Sequence, residues 1–169
     1  MQLRDARADD APAILALNEA FVAVLSPLDP PRLAQLARQA ARYRVAEQGG
    51  RVVAFLLAMR EGADYDSPNY RWFAARHRRF LYVDRIVVDA AAQGLGVGQT
   101  LYRDAFAHAL EHDVPVLACE FDIAPPNPAS ARFHARLGFR EAGRQRLGAG
   151  KEVSLQVLEV AGGMPPACS

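Results

Sequence analysis

The chain has 169 residues, 51% hydrophobic and 23% charged, with a formal net charge of +1, which fits one globular domain able to bury a core without covalent staples. The balanced charge argues against a nucleic-acid binder or a partner for an acidic membrane surface. Two cysteines, Cys119 and Cys168, lack any CxxC spacing, "MQLRDARADDAPAI" lacks the apolar core of a signal peptide, and "VVAFLLAM" is too short to span a bilayer, so neither a disulfide framework, nor a zinc site, nor a membrane location is expected, and a reducing cytoplasm is.

In chain order, "QLRDAR" reads as a short strand. "ADDAPAILALNEAFVAVL" follows as a helix, with Asp9 or Asp10 as cap, Pro12 in the first turn, and Ile14, Leu17, Phe21, Val24 and Leu25 at helical spacing. "SPLDPP" interrupts it, and "PRLAQLARQAAR" begins a second helix near Pro31. "RYRVAEQGGRVVAFLLAMREG" is a hairpin joined at Gln48, Gly49 and Gly50. Residues 61–79 mix turn formers, aromatics and arginines without a period, and read as an insertion with a short helix from Tyr70 to Arg78. "RFLYVDRIVVD" is a strand, "GQTLYRDAFAHALEHD" a helix with a broad apolar face, and "VPVLACEF" a buried strand. After the loop "DIAPPNP", "ASARFHARLG" is a short helix closed by Gly138, and "FREAGRQR" and "KEVSLQVLEV" pair around Gly148 to Gly150. No internal repeat or linker divides the chain. The expectation is one α/β (α+β) domain over residues 1–160, a mixed sheet flanked by helices, with a loose tail at 161–169.

The segment "DAAAQGLGVGQTLYRDAFAHAL" places Gly94, Gly96 and Gly98 between a strand and a helix. Free backbone N–H groups and the positive end of the helix dipole gather at such a point, and glycines let an anion approach closely. A Walker loop is excluded, because Gln99 and Thr100 follow Gly98 and no lysine is near; a dinucleotide fingerprint is excluded because position 99 is Gln. A strand-to-helix turn with no ligand is the plain alternative.

The second informative segment is "NPASARFHARLGF", residues 127–139. Together with "QGLGVG" it closely resembles the acyl-CoA-binding signature of the GCN5-related N-acetyltransferase (GNAT) superfamily. Gln93, Gly96 and Gly98 match the pyrophosphate loop; Asn127, Ser130, Phe133, His134, Gly138 and Phe139 match the later motif, except that His134 stands where a tyrosine is usual. The element order agrees over nearly the whole chain and is weakest over 61–79 and the tail. "AMREGADYDSPNY" and "FLYVDRIVV" also look like a bacterial branch of predicted acetyltransferases.

The resemblance implies a sheet splayed after the strand at 80–88, where Ile86, Val87 and Val88 would offer main-chain groups to the cofactor's pantetheine arm. Gln93, Gly94, Leu95, Gly96, Val97, Gly98 and Gln99 would seat its pyrophosphate, Asn127 would order the pantetheine region, and Phe133 would pack along it. It also implies transfer of the acetyl group of acetyl-CoA to a primary amine of a small molecule or peptide, by direct attack in a ternary complex and with no metal. The attacking amine must lose a proton, so a base is needed. Asp84, placed by strand alternation with Ile86 and Val88, is one candidate and Glu120 the other; a salt bridge with an arginine is the structural alternative for Asp84, and a polar strand end for Glu120. His134 would be the thiolate's acid if kept protonated, with Tyr82 the second choice.

For the acceptor, Asp29, Asp64 and Asp66 could meet a cationic amine while Tyr65, Tyr70 and Trp72 wall it. Arg71, Arg76, Arg78 and Arg79 argue equally for a carboxylate-bearing acceptor, and a solvated loop or homodimer contact is the alternative. His108 and His112, spaced i to i+4, read as a solvated helix face in the absence of a third ligand, and Cys119 as a core residue. A non-catalytic acyl-CoA-binding regulatory module is the competing reading of the whole chain.

Overall fold

The structure, a computed structural model, describes residues 1–165; Cys168 and the end of the expected tail lie outside the described residues, and Val160–Gly162 form a 3-10 turn. Strands β1 (Gln2–Asp5), β2 (Arg42–Gln48), β3 (Arg51–Arg60), β4 (Leu81–Val88), β5 (Val116–Ala124), β6 (Arg140–Arg146) and β7 (Glu152–Glu159) form one sheet in the order β1-β2-β3-β4-β5-β7-β6. The pairs β1–β2, β2–β3, β5–β7 and β6–β7 are antiparallel and β4–β5 is parallel, the mixed and mostly antiparallel sheet expected. Among the described residues the helices are α1 (Ala11–Ala20), α2 (Pro30–Gln39), α3 (Pro68–Ala74), α4 (Val97–Glu111) and α5 (Pro128–Arg136). The chain gathers into two compact units, Met1–Met59 with Val83–Ala105, and Arg60–Tyr82 with the described residues from Phe106 onward.

In the first unit, β2 and β3 are joined at Gly49 and Gly50, both with positive φ (58° and 74°), the backbone that a tight two-residue hairpin turn requires and that glycine adopts without strain. Ile14 and Leu17 of α1 and Leu33 of α2 pack with Val45, Phe55 and Val87 of the strands. Removing such a side chain from water is worth about 1.5–3 kcal/mol, so the apolar periodicity of the two helices translates directly into a core. Asp10 stands at the start of α1 without a side-chain cap bond to the helix; its carboxylate instead accepts the Arg7 N–H at 2.7 Å and a fork from Arg4 at 2.7 and 2.8 Å.

The helix α1 stops at Ala20, short of the apolar repeat that continues to Leu25. The chain unwinds through successive turns at Phe21 and Val24, and the Ser26 carbonyl is drawn to the side chains of Asn18 (3.1 Å) and Arg85 (2.7 Å). Tertiary hydrogen bonding thus overrides helical periodicity there. Asp29 caps α2 by accepting the Arg32 N–H at 2.8 Å.

In the second unit, residues 61–79 are a packed segment. Ser67 caps α3 by accepting the Tyr70 N–H at 3.3 Å, with Pro68 in the first turn, so the helix begins and ends earlier than the predicted Tyr70–Arg78. Tyr70 and Phe73 point into a buried aromatic cluster, with Tyr70–Phe80 ring centroids 5.5 Å apart, Tyr70–Tyr82 5.7 Å and Phe73–Tyr82 5.8 Å. The Tyr70 hydroxyl donates to the Arg60 carbonyl (2.7 Å) and accepts from the Ala63 N–H (3.0 Å), which satisfies its polar tip inside the core. β5 extends to Ala124, three residues into the expected loop, because its ladder with β7 continues to Ala124↔Glu152.

Trp72 lies against β6 at Gly143, where a Cβ would stand 2.6 Å from the indole Cζ2. Gly143→Ala therefore forces the ring or the strand to move, at a cost of about 1–3 kcal/mol. The change should lower the urea midpoint and shift the emission of Trp72, the sole tryptophan; an unchanged midpoint and spectrum would show that the ring does not pack there.

Candidate active site

The loop after β4 is shaped by Asp89. Its N–H donates to the Val53 carbonyl at 2.8 Å, one carboxylate oxygen accepts the Ala91 N–H at 2.9 Å to open a 3-10 turn, and the other meets Arg51 at 3.1 Å. Gln93 then donates its side-chain amide to the Val88 carbonyl at 3.2 Å, closing the loop on its own strand. Gly94 and Gly96 both have positive φ, 78° and 76°, and a Cβ built on either meets nothing within 4 Å. Side-chain-free backbone therefore faces open space, while the neighbouring Leu95 is 66% exposed.

α4 starts at Val97, whose side chain is buried, with Gly98 and Gln99 in its first turn. The Thr100 N–H and hydroxyl both return to the Gly96 carbonyl, at 3.0 and 3.1 Å. The first-turn N–H groups have no partner within the helix and stand at its positive end. Farther along, Arg42 of β2 forks Asp104 of α4 at 2.7 and 2.6 Å, which fixes the helix against its own unit. The residues from Gln93 to Gln99 are thus brought together as an anion-ready loop.

The strand that feeds this loop alternates as read from the sequence: Val83, Arg85 and Val87 are buried, and Asp84, Ile86 and Val88 lie on the other face, less enclosed. The parallel register of β4 on β5 runs over Leu81↔Leu117 and Tyr82↔Ala118, and Ile86–Val88 lie beyond it. Arg85 is the residue that sequence reasoning missed. Its Nε donates to Asp84 at 3.1 Å, and its Nη1 to the Asn18 amide oxygen and the Ser26 carbonyl, both at 2.7 Å. The available signal was an arginine at an inward position of an apolar strand. The salt-bridge reading of Asp84 holds, in a pair whose side chains are each 6% exposed.

In the second unit, Tyr82 donates its hydroxyl to Glu120 at 2.9 Å and is itself fully buried. Asn127 caps α5 by accepting the Ser130 N–H at 3.2 Å, and its own N–H donates to the Asp122 carbonyl at 3.0 Å. His134 is 4% exposed and sits among Phe121, Phe133 and Phe139, with ring centroids 5.6, 5.2 and 5.5 Å away. Burial pushes its pKa down to about 4, only partly offset by the hydrogen bond to the Ser130 carbonyl. The imidazole is therefore neutral near pH 7, with Nδ1 at 2.8 Å from that carbonyl and so carrying the proton it donates. The condition set for His134 as an acid, a protonated ring, is thus opposed by its apolar surroundings.

Four of the residues expected at the acceptor site have structural duties. Asp29 is the cap of α2, Tyr65 and Tyr70 belong to the buried aromatic cluster, and Trp72 packs on Gly143 with the Arg76 guanidinium 3.8 Å above its ring.

Residues 11–139, from the start of α1 to the Gly-Phe pair after α5, match the model of the acetyltransferase (GNAT) family. The chain belongs to the GNAT family. A phosphinothricin N-acetyltransferase of Streptomyces coelicolor is 41% identical over 61 residues, a match spanning 36% of this chain and about a third (34%) of the relative. Ard1 from Thermoplasma volcanium superimposes with a TM-score of 0.77 at 14% identity, over 94% of this chain and 96% of the other. The structure of yncA from Salmonella typhimurium with its cofactor acetyl-CoA gives 0.70 at 21% identity, over 100% and 99%. These structural likenesses carry the GNAT fold. The open space before Gly94 and Gly96 and the unpartnered N–H groups of the α4 start fit the pyrophosphate of acetyl-CoA.

Neutral His134 has a thermodynamic signature. A folded pKa near 4 against an ordinary 6.5 means that the unfolded chain binds more protons between those values, so stability rises with pH across that window and falls on acidification through it. The contribution amounts to roughly 3 kcal/mol above pH ~6.5. Urea melts from pH 7 to pH 4 should show His134→Phe losing less stability on acidification than the parent chain, and the His134 imidazole should stay neutral by NMR to about pH 5. Titration of His134 near 6.5 would contradict its burial.

Proposed function

We propose that this GNAT protein transfers the acetyl group of acetyl-CoA to a primary amine of a small molecule or peptide. The observation that carries the reading is the loop Gln93–Gln99, glycine backbone in the left-handed region facing open space at a helix start. The backbone N–H groups of that loop and of the first turn of α4 would take the pyrophosphate, and the main chain of Ile86–Val88 would hold the pantetheine arm as an added strand. Asn127, which caps α5, and Phe133, half-buried beside it, are the residues that the family resemblance assigns to the pantetheine region. When bound, acetyl-CoA supplies an activated thioester carbonyl.

The proton chemistry falls to Glu120. A protonated amine has no lone pair to attack with, so a base must take its proton. The carboxylate of Glu120 is oriented by the Tyr82 hydroxyl, whereas Asp84 is engaged by Arg85. Neutral His134 and fully buried Tyr82 leave Glu120 as the group that can return the proton to the departing thiolate. His134 then supports Phe133 by packing, and Tyr82 acts as a positioning residue. The partial match to a phosphinothricin N-acetyltransferase supports N-acetyl transfer as the reaction class.

Two variants test the two halves separately. Gly96→Asp adds a negative charge and a strained backbone position with no steric clash inside the protein; it should abolish CoA binding in a calorimetric titration while leaving the circular dichroism spectrum unchanged. Unaltered CoA affinity would reduce the loop to a turn. Glu120→Gln should keep CoA affinity and lower kcat by about 10²–10⁴-fold across a panel of amines, the usual worth of a positioned base. CoA binding without transfer to any amine in the parent chain would make the protein an acyl-CoA-binding regulatory module instead.

A further inference from the structure

The last turn of α4 brings together three groups with metal-binding chemistry. His108, Glu111 and His112 follow at i, i+3 and i+4, which puts them on one face of a helix, and their ligand atoms lie within 4.8 Å of one another. The two imidazoles stand side by side, 4.1 Å between centroids and 35° between planes. Glu111 supplies the third ligand that the two-histidine spacing lacks when read from the sequence alone.

The site rests on a held backbone. The His112 N–H returns to the His108 carbonyl at 3.2 Å, the Val114 N–H closes on the Ala109 carbonyl at 2.8 Å, and Arg79 donates to the His112 carbonyl at 2.7 Å. The His112 Nδ1 lies 2.8 Å from the His108 carbonyl oxygen, so the neutral ring carries its proton on Nδ1 and donates it there. Its Nε2 keeps the lone pair. A metal-binding histidine is commonly oriented in this way, with the other ring nitrogen anchored to a carbonyl. The negative end of the helix dipole lies at the same place and favours a cation.

We propose that His108, Glu111 and His112 form a surface site for a borderline divalent transition ion such as Zn²⁺, clamping the C-terminal turn of α4. Two imidazoles and one carboxylate suit Zn²⁺, Ni²⁺ or Cu²⁺ and fall short of the oxygen shell that Mg²⁺ or Ca²⁺ requires. Three protein ligands leave a fourth position to water, which makes the ion exchangeable and distinguishes the site from a closed structural zinc centre. Because the ligands converge on a formed helix turn, the ion binds the folded chain preferentially and raises its melting temperature.

The test uses the full chain without an affinity tag, stripped with a chelator, and titrated with zinc chloride by calorimetry. One Zn²⁺ per chain should bind saturably, with a rise in melting temperature that magnesium chloride does not reproduce. His108→Ala and His112→Ala should each weaken Zn²⁺ binding about tenfold or more, Glu111→Gln should weaken it measurably, and His77→Ala should leave it unchanged. Circular dichroism confirms folding of each variant, since all four positions lie outside the fully buried core. Absence of saturable Zn²⁺ binding, or binding that survives the His108→Ala/His112→Ala double substitution, overturns the site; binding unaffected by Glu111→Gln overturns the three-ligand assignment.

Discussion

A buried guanidinium organises the first unit. Arg85 points inward from β4, in a strand otherwise lined by valines, and a charge taken out of water at that position must be paired and hydrogen-bonded. Its neighbour Asp84 supplies the countercharge, and Asn18 and the Ser26 carbonyl accept from its Nη1. That demand ends α1 at Ala20 and bends residues 21–26 back to the strand. Removing one partner would leave the remaining charge buried and uncompensated, so the segment between α1 and α2 and the strand that leads to the glycine loop are tied energetically.

Burial also redistributes roles in the second unit. The motif position that would carry an acid holds His134, but Phe121, Phe133 and Phe139 surround it, and desolvation keeps the ring neutral. Tyr82, the other phenolic or imidazole candidate, is enclosed by Tyr70 and Phe73 and spends its hydroxyl on Glu120. Packing therefore encloses both apparent acids, which is why the proposed function gives the reacting proton to a carboxylate. At the glycine loop the effect runs the other way: Asp89, Gln93 and Thr100 use side chains to fold the backbone back on itself, which leaves the glycine backbone at 94 and 96 facing open space beside the exposed Leu95.

Much of this was legible in the residues. The hairpin at Gly49–Gly50, the helix after Gly98, the α5 cap at Asn127 and the β6–β7 pair all follow from local rules of turn chemistry, capping and periodicity. The two motif segments, in order, led to the family. Within residues 61–79 the short helix expected at Tyr70 to Arg78 lies at Pro68–Ala74 instead, because the Ser67-Pro68 cap sets its start and its aromatics are spaced for packing rather than for a repeating face. Tyr65, Tyr70 and Trp72 resembled a ligand wall for the same reason: an aromatic looks alike in a sequence whether it meets a substrate, a neighbouring ring or the bare backbone of Gly143. His108 and His112 were legible as a pair, while the convergence of Glu111 and the Nδ1 anchor required coordinates.

By itself the sequence determined the element types, the sheet alternation along β4, the glycine loop at a helix start and the GNAT family, since each rests on residues near one another in the chain. Tertiary structure alone decided where α1 ends, which candidate groups are buried and what surrounds them. Those outcomes depend on desolvation and on hydrogen-bond partners distant in sequence, such as Asn18 for Arg85 and Tyr82 for Glu120, and no local pattern encodes the dielectric that a folded chain places around a charge.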